Sequence, residues 1–320
     1  GGDWNTASGQ YATVGGGWSN TASELCAAVA GGYLNTASGQ LAAVGGGYLN
    51  TAINTCPTVA GGYGNAASQS CATVAGGYKN AASEWCATVA GGQNNTASFT
   101  YATVGGGHTN AACGQYATVP GGSSNTARAD YSFAAGRRAK ANNAGSFAWA
   151  DSTNADFNVS NNNRFGVRAS GGVYLYTNSS LTAGSYLAAG SGSWTSVSDR
   201  AMKENVAPVN AADVLEKVAV MPISAWNYKT EDRSIRHIGP MAQDFHAAFG
   251  LGDSDKAITT IDADGVALAA IQALHKLVRE KEARITTLEA DKMSQQQRIA
   301  NLEARLAALE SRRRTTMNDE

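Results

Sequence analysis

Apolar positions in the first half of the chain recur with a period of 15 residues. Val14, Val29, Val44, Val59, Val74, Val89, Val104 and Val119 form one column. Ala12, Ala27, Ala42, Ala72, Ala87, Ala102 and Ala117 form a second, two residues ahead of it. A spacing of two puts both columns on one strand face, and such small side chains predict a thin core. Glycine pairs keep their own phase from Gly16-Gly17 to Gly121-Gly122, and asparagines keep another from Asn5 to Asn125. Glycine supplies turn conformations closed to other residues, while stacked asparagines bond their own turn and one another. This short fixed period predicts a β-solenoid with two short strands and two turns in each coil.

A further column, Tyr11, Cys26, Leu41, Cys56, Cys71, Cys86, Tyr101, Tyr116 and Tyr131, is read as the other strand face. One slim coil cannot cover both faces of its own strands, so several chains packed side by side are expected. The cysteines in it are read as buried thiols acting as small hydrophobes, since no Cys/His spacing marks a metal site. No metal and no cofactor are expected. Trp18, Tyr33, Tyr48, Tyr63 and Tyr78 form a stripe beside the glycines, continued by Gln93, His108 and Ser123. These rings either shield the turn backbone or form an outward ladder that binds a sugar or receptor. Threonine columns leave an ice-binding surface open as a reading, although Thr is equally an ordinary outward strand residue.

The pattern loosens at Arg137-Arg138-Ala139-Lys140, and Ser146 to Asp151 reads as a bulkier closing coil. Residues 1–150 are therefore the repeat head. Residues 151–197 are expected to be a β stalk interwoven between chains. In it, Asn154 to Asn163 is a polar connection, and Phe165–Ala169 and Gly172–Tyr176 are short strands around a Gly-Gly turn. From Ser198 the repeats stop. A helix is predicted around Val214–Val218 and a strand over Ile223–Tyr228, within a mixed module spanning 198–265. Heptads follow, with Ile271, Val278, Ile285, Lys292, Ile299 and Leu306 at a. Leu274, Lys281, Leu288, Gln295, Leu302 and Leu309 stand at d. They predict a coiled coil over 266–311, weakened at Lys281, Lys292 and Gln295, then a disordered tail over 312–320. β-branched a residues with Leu at d favour two strands by themselves, so the heptads leave the number of chains open.

Charge narrows the function classes. The net charge is −1 over 320 residues, and the six acids before residue 198 are Asp3, Glu24, Glu84, Asp130, Asp151 and Asp156. Neither half is strongly basic, so no nucleic-acid partner is expected. No apolar run approaches the roughly 18 residues of a membrane helix, so membrane insertion is not expected either. The chain opens without Met or a leader and reads as an excerpt whose export route is not legible.

Two resemblances add to this reading. The repeats resemble the head of trimeric autotransporter adhesins, which implies a left-handed parallel β-roll in a homotrimer. Further on, Ser198-Asp199-Arg200-Ala201-Met202-Lys203-Glu204-Asn205 resembles the opening motif of the intramolecular chaperones that end phage tailspikes, tail fibres and endosialidases. Three more blocks follow in the same order: Val214–Lys217, His237–Asp244 and Asp264–Leu268. Met202 stands where Leu is commoner, a volume-conserving change. The resemblance implies a trimeric module that templates folding of the preceding fibre and then cuts the Val197–Ser198 bond. Carried over by position, Ser198 is the nucleophile and Lys203 the general base. A serine hydroxyl is a weak nucleophile until a base takes its proton, and a lysine does so only when burial or positive neighbours lower its proton affinity. Asp199, Arg200 and His237 are possible supports, with Asp199 equally a cap and His237 equally a structural histidine.

The fold expected is thus mixed: a β-roll head, a short β stalk and a C-terminal α+β chaperone ending in a coiled coil. The function expected is a trimeric extracellular adhesion fibre, on a phage virion or a bacterial surface, with a self-cleaving serine endopeptidase that acts once. Its partner would be a cell-surface glycan or receptor. A polysaccharide-degrading tailspike is the main alternative, but glycosidases need two carboxylates flanking the bond, and only Glu24 and Glu84 share a column. An ice-binding solenoid is the third reading.

Overall fold

The computed structural model describes residues 1–318, with side chains as far as Arg313. The chain divides into two compact units, Gly1–Met202 and Lys203–Glu320.

The first unit is a parallel β-solenoid. Two 11-stranded sheets run along it, one from Thr6–Ala7 to Phe157–Val159 and the other from Thr13–Val14 to Phe165–Arg168. Through the repeats each residue pairs with its equivalent 15 positions on, as Thr73 with Thr88 and Val74 with Val89. A third line of single bridges joins Asp3, Trp18, Tyr33, Tyr48 and onward to Arg137. Each coil therefore carries one more point of pairing than the two strands expected.

The interior is as thin as the small side chains imply. Ala27 and Val29 and their equivalents are buried, and so is a third column of alanines, Ala22 to Ala127, which the period-two argument leaves out. The remaining inner position is polar. Asn20 to Asn125 are fully buried, and each side chain closes a bond circuit between coils. Asn65 Nδ2 donates to Gly61 O at 2.8 Å and to Gly77 O at 2.9 Å, while its Oδ1 accepts Asn80 N at 2.9 Å. The glycine turn is obligatory beside this ladder. Gly62 has φ +92, and a Cβ there would collide with Gly77 O.

The column running from Tyr11 through Cys26 to Tyr131 is not a strand face. Its members stand at the second turn with left-handed backbone, for example Cys26 at φ 56, Leu41 at φ 58 and Tyr116 at φ 57. Such angles cost a non-glycine residue roughly 1–2 kcal/mol. A recurring inter-coil bond offsets this, as Cys71 N donates to Thr55 O at 2.9 Å and Cys86 N to Ser70 O at 3.0 Å. The column thus edges the roll, with Tyr11, Leu41, Tyr116 and Tyr131 exposed. The cysteines are free thiols, but none in this column is buried as expected: Cys71 is exposed, and Cys26, Cys56 and Cys86 are half-buried at the turn. Burial, then Cys71 beside it, pushes the Cys86 thiol up.

The roll also runs past residue 150. Phe133 pairs with Phe147, 14 residues on, and Phe147 pairs with Phe165, 18 residues on. Phe165–Arg168 is thus the last strand of the roll and not half of a hairpin with Gly172–Tyr176. An ionic clasp holds this end. Asp151 accepts Arg168 Nε at 3.1 Å, Thr153 N at 3.1 Å and Ser170 N at 2.7 Å. Arg168 also donates to Ala155 O at 2.8 Å and Thr153 O at 3.1 Å. A separate antiparallel sheet follows, made of Val173–Tyr176, Gly184–Leu187 and Trp194–Ser196.

In the second unit, α1 (Ala211–Val220) is capped by Asn210 Oδ1, which accepts Ala212 N at 3.2 Å. Ser224–Trp226 pairs with His237–Gly239 in a small hairpin. α2 (Ala242–Phe249) ends at Gly250 with φ 63. α3 (Thr260–Asn318) opens with the Thr259 hydroxyl, which accepts Asp262 N at 3.1 Å. Val214, Phe245, Val266 and Ala270 form a small core shared by the three helices. The tail expected over 312–320 is helical as far as Asn318; Asp319 and Glu320 lie outside the described residues.

Two outcomes follow. Replacing Asn65 with Ala removes its part-buried bonds to the Gly61 and Gly77 carbonyls and leaves the buried Asn80 N–H without its acceptor, so denaturant unfolding of the roll should lose about 2 kcal/mol. The bonds from Ser170 and Thr153 hold the Asp151 carboxyl well below its usual range. A depressed carboxyl stabilises the folded state above the unfolded value of about 3.9 and loses that contribution as pH falls below it. Amide-exchange protection around 151–170 should therefore drop below about pH 4, and Asp151→Asn should flatten that pH dependence.

Candidate functional site

The last strand of the small sheet, Trp194–Ser196, delivers the chain to the junction between the two units. Val197 N reaches Gly184 O at 3.3 Å, the final bond of that sheet. A single 3-10 turn, Arg200–Met202, follows. Asp199 caps it: its Oδ1 accepts Ala201 N at 2.9 Å and its carbonyl accepts Met202 N at 3.2 Å. The capping role weighed for Asp199 is the one its contacts show. Ser198 and Lys203 flank this turn along the sequence, and both are exposed in the single chain, as is Arg200. Val197 is at the surface too, so the bond between it and Ser198 is accessible.

His237 sits in the hairpin of the second unit. Its Nε2 lies 2.8 Å from Glu231 Oε2, and its ring packs 4.7 Å from Trp226 and 5.7 Å from Tyr228. These contacts tie it to the hairpin itself.

The aromatic stripe lies at the surface with its rings in contact: Trp18–Tyr33 and Tyr63–Tyr78 stack, Tyr33–Tyr48 is tilted by 33° and Tyr48–Tyr63 meets edge to face at 68°. Centroids are 4.6 Å apart for Trp18 and Tyr33, 4.9 Å for Tyr33 and Tyr48, 5.0 Å for Tyr48 and Tyr63, and 4.9 Å for Tyr63 and Tyr78. The Lys79 ammonium stands 5.2 Å over Tyr78. The two stacked pairs cover one another's faces and offer mainly ring edges and phenol hydroxyls. A sugar needs a ring face to stack on.

A second ladder was only partly legible. Tyr101, Tyr116 and Tyr131 stack at 5.0 and 5.2 Å along the other turn, and Trp85 meets Tyr101 at 4.9 Å with its ring tilted by 60°. Trp85 stands one residue ahead of that column, so column reading passes over it. Phe133, Phe147 and Phe165 stack at 4.7 Å per step across the final coils.

Other candidate chemistry is sparse. Glu24 and Glu84 are four coils apart, about 19 Å at about 4.8 Å per coil, whereas paired glycosidase carboxylates stand about 5–9.5 Å apart. Ala66, Ala81 and Ala111 interrupt one hydroxyl column, and Ala28 and Ala43 the other. Among the described residues no His, Cys, Asp or Glu cluster can hold a metal ion. No described helix is long and apolar enough to cross a membrane.

Residues 198–250 match the peptidase S74 family, described as chaperone of endosialidase. The match opens at Ser198, takes in the 3-10 turn, α1, the hairpin and α2, and closes at Gly250. The β-solenoid and α3 lie outside it. With the 15-residue solenoid ahead of it, the chain has the architecture of a tail-fibre-like protein ending in such a chaperone. No curated protein matches the chain.

Proposed function

We propose that the chain is one subunit of a homotrimeric extracellular adhesion fibre. Its segment from Ser198 onward is an intramolecular chaperone that drives assembly and then cuts itself off. The observation that carries this reading is the family match opening at Ser198, the residue after the proposed cut.

Bare surfaces support self-assembly. The α3 stripe is exposed from Ile271 through Leu309. Tyr174, Leu175, Tyr176 and Trp194 of the three-stranded sheet are exposed too, and so small a sheet is marginal without a partner. The turn that carries Tyr11, Leu41, Trp85, Phe99, Tyr116 and Tyr131 presents large apolar side chains at both ends of the roll, with smaller residues in the coils of Cys56 and Cys71 between them. Such an exposed apolar edge suits a contact between parallel rolls.

A chaperone at the C-terminal end suits this fold. Each coil is stabilised by pairing with its neighbours, so the first coil has nothing to pair with and nucleation is the costly step. Holding three chains together raises their local concentration and aligns them before the strands pair.

The chemistry follows from the position of the nucleophile. Ser198 Oγ attacks the Val197 carbonyl carbon while Lys203, in its neutral form, takes the hydroxyl proton. The Ser198 nitrogen then leaves the tetrahedral carbon and receives that proton, which turns the amide into an ester. Water hydrolyses the ester, freeing the Val197 carboxylate and restoring the serine hydroxyl. Lys203 is exposed in the single chain, so the base becomes competent on burial in the assembled trimer. Cleavage thus follows assembly, and it leaves a fibre that cannot easily re-enter its folding route.

Intact mass of the purified protein tests the cut. Wild type should release Ser198–Glu320, and Ser198→Ala should stay full length while still forming trimers. Lys203→Ala should block the cut, and Lys203→Arg should not rescue it, because guanidinium stays protonated. Ile285→Asp should lower both soluble trimer and cleavage. Cutting of Ser198→Ala at the same bond, free of other proteases, would remove the dyad.

The Trp18–Tyr78 stripe is the proposed adhesive surface, with its phenol edges as the contact groups. Glycan-array binding should weaken in the Tyr48→Ser, Tyr63→Ser double variant. Unchanged binding would move adhesion to another face.

A further inference from the structure

The exposed stripe of α3 is flanked by charges in a regular order. With Ile271 at a, the first heptad has His275 at e and Leu277 at g, and the g positions then hold Arg284, Asp291, Arg298 and Arg305. The e positions hold Glu282, Glu289, Gln296, Glu303 and Glu310. All lie on the exposed part of the helix, beyond the small core that ends at Ala270. Glu282 is answered within its own helix by Arg279, at 3.6 Å.

In a parallel coiled coil, each g residue faces the e residue five positions on in the neighbouring helix. That rule pairs Arg284 with Glu289, Arg298 with Glu303 and Arg305 with Glu310. The remaining pair, Asp291 with Gln296, is neutral. An antiparallel arrangement sets g against g and e against e: where Arg284 faces Arg305 and Glu282 faces Glu303, Asp291 facing Arg298 is the one opposite-charge contact among these g residues. A parallel slip of one heptad brings Asp291 opposite Glu289 in one direction and Glu303 in the other. It also sets Lys292, polar at a, against Ile285 or Ile299. Asp291, the acidic g residue, directly precedes Lys292, the lysine at a.

We propose that these charges are an orientation and register code for self-recognition. Arg284, Arg298 and Arg305 with Glu289, Glu303 and Glu310 select α3 of further copies of this chain, parallel and aligned, and Asp291 makes a one-heptad slip repulsive. The occupant of the stripe is thus another copy of the same helix. The proposal rests on the self-assembly reading above, and it explains how a chaperone can align three identical chains before their strands pair.

The test uses the full chain carrying Ser198→Ala, so that α3 stays attached, with assembly measured by sedimentation equilibrium. Arg284→Glu, Arg298→Glu and Arg305→Glu together make both flanks acidic. Glu289→Arg, Glu303→Arg and Glu310→Arg together make both basic. Each variant alone should need roughly tenfold or more concentration to assemble, since three favourable pairs per interface become repulsive. An equimolar mixture of the two should assemble as mixed oligomers. The six-fold swap, which restores every pair with its signs exchanged, should assemble as the parent does. Parental assembly by the acidic variant, or failure of the six-fold swap while it keeps its helix content, overturns the code and leaves the self-assembly reading standing. A monomeric parent overturns the self-assembly reading itself.

Discussion

The buried asparagine ladder is the interaction on which the roll depends. A coil this slim has room inside for two alanines and a valine, too little apolar area to hold a backbone in place by burial alone. The glycine-turn carbonyls that face the interior asparagines must still find donors. One asparagine per coil bonds a carbonyl of its own turn, a carbonyl of the next turn and the N–H of the next asparagine. Those bonds lock the register between coils, so every other column, including both aromatic ladders, inherits its alignment from this one.

The same economy explains why so much apolar surface stays outward. The interior takes only small residues, and the large ones occupy turns, where Tyr131 and Tyr11 are more than half exposed. The second unit repeats the situation: its core has four buried residues, while α3 carries its apolar stripe far beyond them. Each unit therefore has more apolar surface than its own chain can cover. In the proposed trimer that surface becomes the interface, and stability comes from assembly as much as from the single fold.

The proposed single-use cut, placed where the family match begins, fits this division. The first unit ends in an exposed segment closed by one weak backbone bond from Val197 and a turn capped by Asp199. Nothing in that segment is buried enough to make the peptide bond reactive in an isolated chain. A proposed site that matures only on assembly protects the nascent chain from losing its chaperone early.

The sequence by itself determined the coil period, the inward columns, the asparagine ladder, the long helix and the residue at which the chaperone begins. Each is a matter of equivalence: residues at a constant spacing do the same job, and a motif marks its own start. Tertiary structure decided what equivalence cannot express. Spacing shows that Tyr11, Cys26 and Leu41 share a place in the coil, but only closure of the coil puts that place at a left-handed corner instead of on a strand. The roll's end was hidden because its last coils change length to 14 and 18 residues, and pairing of Phe147 with Phe165 tolerates what a fixed period does not. The stripe from Trp18 to Tyr78 was legible as a column. That Trp18 stacks on Tyr33 and Tyr63 on Tyr78 follows from the spacing between coils, close enough for stacking, which no single coil's sequence contains.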